Sequence, residues 1–211
     1  MRRWGSDQLI QTGRGSSHLW LFLMLSAIVT SAAWAQTLSI DTANSKLTVR
    51  AFKSGLFSGF ADNHEIEAPI TGGSVDETAG HVKFVVESQR MKVLDPQMKA
   101  SRREEVQQRM LGPEVLDVTH FPQITFESTS VERPGKETFV IHGKLRLRGT
   151  TQAVVVNVRR ENGSYTGKCT LKQSEFGIAP ISIAGGTVKV KDELLVEFDV
   201  RTVAAGAAGS K

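Results

Sequence analysis

Chemistry needs acids, bases, nucleophiles or metal ligands gathered together, and in this chain the residues that could supply them are few and scattered. Beyond the first segment the histidines are His64, His81, His120 and His142, each in a different run. None has the H-E-x-x-H spacing that sets two imidazoles on one helical face for zinc. The densest polar cluster is Asp62-Asn63-His64-Glu65. As a metal site it would need ligands from elsewhere in the fold; its plainer reading is a solvated loop at the rim of a β-structure. Cys169 is the single cysteine, which leaves no partner for an intramolecular disulfide. It reads as a small buried hydrophobe before it reads as a reactive thiol. A G-x-S-x-G elbow, a phosphate-binding loop and a G-x-G-x-x-G turn do not occur. The residue set therefore points away from an enzyme and calls for no cofactor and no metal.

The elements that would position these residues begin after a segment that stands apart. Arg2, Arg3 and Arg14 precede an apolar run, residues 19–35, that ends in Ala33-Trp34-Ala35. A positive start, a short apolar core and small residues at the cleavage positions make residues 1–35 a cleavable secretory signal, with Gln36 as the new N-terminus. The competing reading is an uncleaved anchor, but the run is short of the roughly 20 apolar residues that a span requires and contains Ser and Thr. The expected location is periplasmic or secreted, with no stable membrane insertion after cleavage. The whole chain carries a net charge of +4. Much of that leaves with the first segment, and the rest lacks the dense basic stripe of a nucleic-acid binder.

Residues 36–202 read as one domain of short strands. Leu47, Val49 and Ala51 alternate with Lys46, Thr48 and Arg50. Val82, Phe84 and Val86 repeat the pattern, as do Ile124 and Phe126. So do Ile141, Gly143, Leu145 and Leu147, then Val154, Val156 and Val158, then Tyr165–Lys172. Leu194, Val196 and Phe198 share a face in the last run, and residues 64–71 form a weaker candidate. Period two is the signature of half-buried strands. Asn162-Gly163 is a strong hairpin turn, and Pro134-Gly135, Gly72-Gly73 and Gly185-Gly186 read as further turns. One stretch breaks the pattern: Asp95 as N-cap and Pro96 in the first turn predict a helix over residues 96–111. Residues 203–211 read as a frayed tail. About eight antiparallel strands with one inserted helix suggest a closed all-β barrel, since closure removes aggregation-prone edges.

Four stretches of this sequence then carry a likeness. They are Ile40-Asp41 with Asn44-Ser45, the run FPQITFEST at 121–129, the run GKLRLRGTT at 143–151, and SEFGI at 174–178. Together, over residues 38–200, they resemble the YceI-like family of exported polyisoprenoid-binding proteins. Many members have V-x-H-x-G where this chain has Phe52-Lys53-Ser54-Gly55, and R-S-D-F-G where it has Gln173-Ser174-Glu175-Phe176-Gly177. The resemblance implies an antiparallel lipocalin-like β-barrel whose apolar interior takes a long prenyl chain.

On that reading the residues expected to line the lipid pocket are Val49, Phe57, Phe60, Phe84, Met91, Met98, Phe126, Ile141, Leu145 and Phe198. Met91, Met98 and Met110 are the methionines left after the signal. Clustered near one helix, they suit either a pliable lid over ligands of varying length or ordinary core packing. The expected partner is an isoprenoid or other long-chain lipid, with the oligomeric state open and a homodimer one option. Two other functions compete: a lipid-modifying or metal-dependent enzyme using the His64 region, and a non-binding stress or surface protein with a filled barrel.

Overall fold

The alternating segments become strands in the computed structural model, which describes residues 37–54, 63–183 and 188–205. The strands are β1 (Thr37–Ile40), β2 (Lys46–Ser54), β3 (His64–Glu67), β4 (Ile70–Asp76), β5 (His81–Glu87) and β6 (Lys92–Val93). After the helix α1 (Ala100–Leu111) come β7 (Gln123–Gly135), β8 (Thr138–Leu147), β9 (Thr150–Glu161), β10 (Ser164–Lys172), β11 (Ser182–Ile183) and β12 (Val188–Ala204). The expected signal segment 1–35, Phe57, Phe60 and the Gly185-Gly186 turn lie outside the described residues.

Every pairing is antiparallel, and the order β1-β4-β5-β7-β8-β9-β10-β12 closes on itself because β12 also pairs with β1. β1 and β2 lie end to end along the same side of β12: Leu38 faces Ala204 and Leu47 faces Phe198. Likewise β3 and β4 together flank β2 and β1. The result is a closed barrel of eight staves wound up and down, with one α-helix among the described residues. Closure decides which face of each strand is buried. The apolar members of the alternating runs turn inward and form one core, among them Ile40, Leu47, Val86, Phe126, Leu145 and Phe198, while the charged members face solvent.

Of the expected turns, Asn162-Gly163 is formed, and a second turn of the same kind, at Arg148-Gly149, is added by the structure. Asn162 (φ 50°) and Gly163 (φ 79°) form the β9–β10 turn, and Arg148 (φ 48°) and Gly149 (φ 75°) form the β8–β9 turn, both with paired left-handed residues. Gly72-Gly73 and Pro134-Gly135 are corrections, since the first pair lies inside β4 and the second ends β7, with the β7–β8 turn made by Lys136-Glu137. Gly73 is required in β4 by close approach. A Cβ on it would stand 2.5 Å from the Lys83 carbonyl and 2.7 Å from Ile40 Cδ1. The tail is a smaller correction, because β12 continues through Val203 and Ala204, which pair with Ser39 and Leu38.

The helix is shorter than its sequence suggests. It starts at Ala100, and its N-cap, Lys99, makes no side-chain cap bond. Asp95 does not cap it because its carboxylate is taken by the sheet: Oδ1 accepts the Glu65 amide at 2.8 Å, and Oδ2 lies 2.6 Å from His64 Nδ1. Pro96–Met98 instead form a turn closed by the Met98 amide on the Asp95 carbonyl at 3.0 Å. The excursion is pinned at its base by Ser88, 1 % exposed, whose amide and hydroxyl bond the Pro122 and Phe121 carbonyls.

Candidate functional site

The inward side chains do not fill the barrel. They surround a cavity of about 230 Å³ whose surface is almost wholly carbon. Its walls carry Val49 from β2, Phe84 from β5, Phe126 from β7, Ile141 and Leu145 from β8, and Phe198 from β12. Met91 joins them from the segment before β6. The rings of Phe84 and Phe126 stack with centroids 5.2 Å apart. Two glycines give the large rings their space. A Cβ on Gly143 would lie 2.5 Å from the Phe126 ring, and one on Gly167 would lie 2.5 Å from the Phe198 ring. Each aromatic ring thus lies over a glycine of the neighbouring strand.

Met98 is not brought to this cavity. It is half-buried in the Pro96–Met98 turn and lines a separate depression with Arg50, Lys53, His64 and Asp95. The loss of the first helical turn explains the displacement, because residues 96–98 run along the rim of the barrel instead of over it. Met110 does reach the cavity, as do Val115, Leu116 and Ile178. Met91 and Met110 are 5 % and 6 % exposed and belong to the main core, so the methionines divide between core and rim. Leu116 and Ile178 sit in irregular segments, where no periodicity marks an inward residue. Only Ile178 had a signal, its place in the SEFGI run.

Among the described residues, α1 and the segments that follow it and β10 pack across one end of the barrel. Met110, Leu116, Phe176 and Ile178 are all buried there. Polar groups tie the closing segments to the wall. The Gln107 amide behaves as a piece of strand: Oε1 accepts the Val93 N–H at 2.7 Å and Nε2 donates to the Met91 carbonyl at 2.8 Å. Arg148 donates through Nη2 to the Pro113 carbonyl at 2.8 Å and through Nη1 to the Gly177 carbonyl.

The opposite end is polar. Glu77, in the β4–β5 turn, accepts from Arg160 Nη1 at 2.7 and 2.9 Å and from the Tyr165 hydroxyl. Arg160 also donates through Nε to Glu137 at 2.7 Å. Bonding to two carboxylates raises the affinity of the Arg160 guanidinium for its proton, and its hydrogen bond holds Glu137 below the usual carboxylate range. Burial, reinforced by the bond to Glu77, pushes the Tyr165 phenol up to about 12. Arg133 lies beside this end, over the Phe139 ring at 5.9 Å.

Cys169 faces the cavity from β10, opposite Val196, and burial raises its thiol. His64 and Asp95 form a side-chain pair in the rim depression, with Asp95 5 % exposed. Among the described residues, the lining of that depression includes no Ser, Thr or Cys to act as nucleophile. No three metal-ligating side chains converge among the described residues either.

The sequence model of the YceI-like domain matches residues 38–202. A UPF0312 protein of Azotobacter vinelandii is 33% identical over 88 residues, which is 37% of this chain and 46% of its own length. One of Shewanella baltica is 28% identical over 107 residues, 46% of this chain and 56% of its own. The chain thus spans about half the length of the curated relatives it matches. Among solved structures, Burkholderia cenocepacia BcnA aligns with a TM-score of 0.56 at 18% identity, covering 76% of this chain and 98% of that one. This is a likeness of fold.

Proposed function

The chain belongs to the YceI-like family, and from that premise we propose that it is an exported carrier or scavenger that encloses a long-chain isoprenoid-type lipid in its barrel. Membership and fold are consistent with a binding protein. The observation that carries the finer reading is the cavity itself, about 230 Å³ of space with an almost purely carbon lining. An apolar cavity of roughly 150 Å³ already takes benzene, so this one has room for a branched hydrocarbon segment. A prenyl chain in water exposes apolar surface that costs roughly 25 cal/mol per Å², and enclosure removes that cost. The exposed lining is almost entirely carbon, and at one end Glu77 is bonded to both Tyr165 and Arg160, which supports binding over catalysis.

The test is native mass spectrometry of the purified protein, followed by removal of lipid and reloading with a fluorescent prenyl alcohol. Co-purified lipid and saturable, one-to-one reloading are expected. A protein that purifies empty and takes up no chain would favour the filled-barrel reading. A stoichiometric metal would favour chemistry at His64. Export is part of the same proposal. The mature N-terminus should be Gln36 and the protein should fractionate as soluble outside the cytoplasm; a retained Met1 in the membrane fraction would overturn it.

A further inference from the structure

Among the described residues, the contacts across the two ends of the barrel differ in their physics. At the helical end the closure is apolar, with Met110, Leu116, Phe176 and Ile178 no more than 6 % exposed. Opening there would bring this plug into water and break the Gln107 and Arg148 bonds to backbone. At the other end the closing contact is an ion pair whose side chains are 34 % and 31 % exposed. Its partners stand on opposite walls. Glu77 belongs to the β4–β5 turn, while Arg160 and Tyr165 belong to β9 and β10, across the ring in the order of staves. A contact between neighbouring strands would only reinforce the wall, whereas this one crosses the mouth. Glu77 and Tyr165 both line the cavity, so the strap lies directly over it.

The bonding also lets the strap part cleanly. Arg160 keeps Glu137 as a partner when Glu77 leaves. The Glu77 carboxylate and the Tyr165 hydroxyl then turn to water. No charge is stranded in the interior, the condition under which breaking an ion pair is expensive. An ion pair this exposed opens far more readily than an apolar plug.

We propose that apolar ligands enter and leave through the end of the barrel opposite the helix, by parting of the Glu77–Arg160–Tyr165 strap. This rests on reading the interior as a ligand cavity, and it moves the portal away from the helix.

Cys169 provides a test that does not depend on the natural ligand, because it is the only cysteine and faces the cavity. The full processed chain is treated with an uncharged apolar maleimide, and the rate of Cys169 modification reports access to the interior. Glu77→Gln and Arg160→Gln should raise that rate by roughly fivefold, the most that an exposed ion pair supports. Gln107→Ala, at the helical end, should change it by less than about twofold. In the wild type the rate should rise with added salt, and in Glu77→Gln it should be insensitive to salt. This salt comparison stands even if Arg160→Gln folds poorly. Unchanged rates in the strap variants, or equal acceleration by Gln107→Ala, would overturn the portal. Release of a bound fluorescent prenyl alcohol, followed on the same variants, separates the two claims. If the strap variants speed thiol access but no protein binds the alcohol, the portal stands and the carrier reading falls. If the alcohol binds and its release ignores the strap, the carrier reading stands and the portal falls.

Discussion

At the scale of single residues, the polar mouth and the methionines give the most direct measurements. Tyr165 is the only tyrosine in the chain, so the near-ultraviolet absorbance of phenolate titrates this one group. Its midpoint should lie near 12 in the folded protein, against 10.0 for a free phenol. Because the folded value is the higher one, the unfolded chain releases the proton first. The stabilisation is therefore complete below pH 10 and is lost as pH rises towards 12. Tyr165→Phe should remove that part of the alkaline loss, seen by comparing melting temperatures across this window. The methionines separate by position. Met98→Gln changes a half-buried rim residue and should shift stability by less than about 0.5 kcal/mol. Met110→Gln places an amide in the apolar cavity wall and should cost about 1–3 kcal/mol. Equal losses from the two substitutions would show that the rim turn belongs to the core.

At the scale of elements, α1 is held by what it touches rather than by its own sequence. Its apolar face is thin, with Val106, Met110 and Leu111 the only apolar residues facing the barrel after Ala100, and its first turn lacks a side-chain cap. Gln107 compensates by bonding both polar groups of its amide to the β6 segment, covering an edge that strand pairing leaves open. Gln107→Ala leaves the Val93 N–H without that acceptor and should destabilise by about 1–3 kcal/mol. Faster amide exchange should concentrate at Val93 and in α1, while β8 and β9 keep their protection. Uniform exchange across the barrel would instead mean that helix and barrel unfold as one unit.

At the scale of the whole molecule, closure and cavity size are set together. Gly143 and Gly167 let Phe126 and Phe198 lie against the wall, which keeps the centre open. Gly143→Ala forces the Phe126 ring inward, since the new Cβ would also meet the Glu127 carbonyl at 2.8 Å and cannot be relieved by the backbone alone. The expected result is a loss of about 1–3 kcal/mol in stability and, on the proposed carrier reading, weaker retention of lipid in the same preparation. Lost stability with unchanged lipid content would show that the ring yields outward and that the cavity is not bounded by Phe126.

Strand positions and their inward faces were legible in the sequence, because alternation at Val82–Val86, Ile141–Leu147 and Val154–Val158 is a local property that any closed sheet must respect. The Asn162-Gly163 turn was legible for the same reason, as its left-handed dihedrals depend on those two residues alone. Asp95 does not cap the helix, because capping is a local preference of modest strength and the sheet offers its carboxylate a backbone amide and an imidazole from residues some thirty positions earlier. Gly72-Gly73 is ambiguous in the sequence because a glycine pair looks alike whether it serves a turn or a close approach, and only the packing of Ile40 across β4 distinguishes the two. The strap at Glu77, Arg160 and Tyr165 left no pattern at all. Its members are 83 and 88 residues apart and meet only because closure sets β4–β5 opposite β9–β10. Sequence determined which residues turn inward; the closed ring decided which of them meet across it.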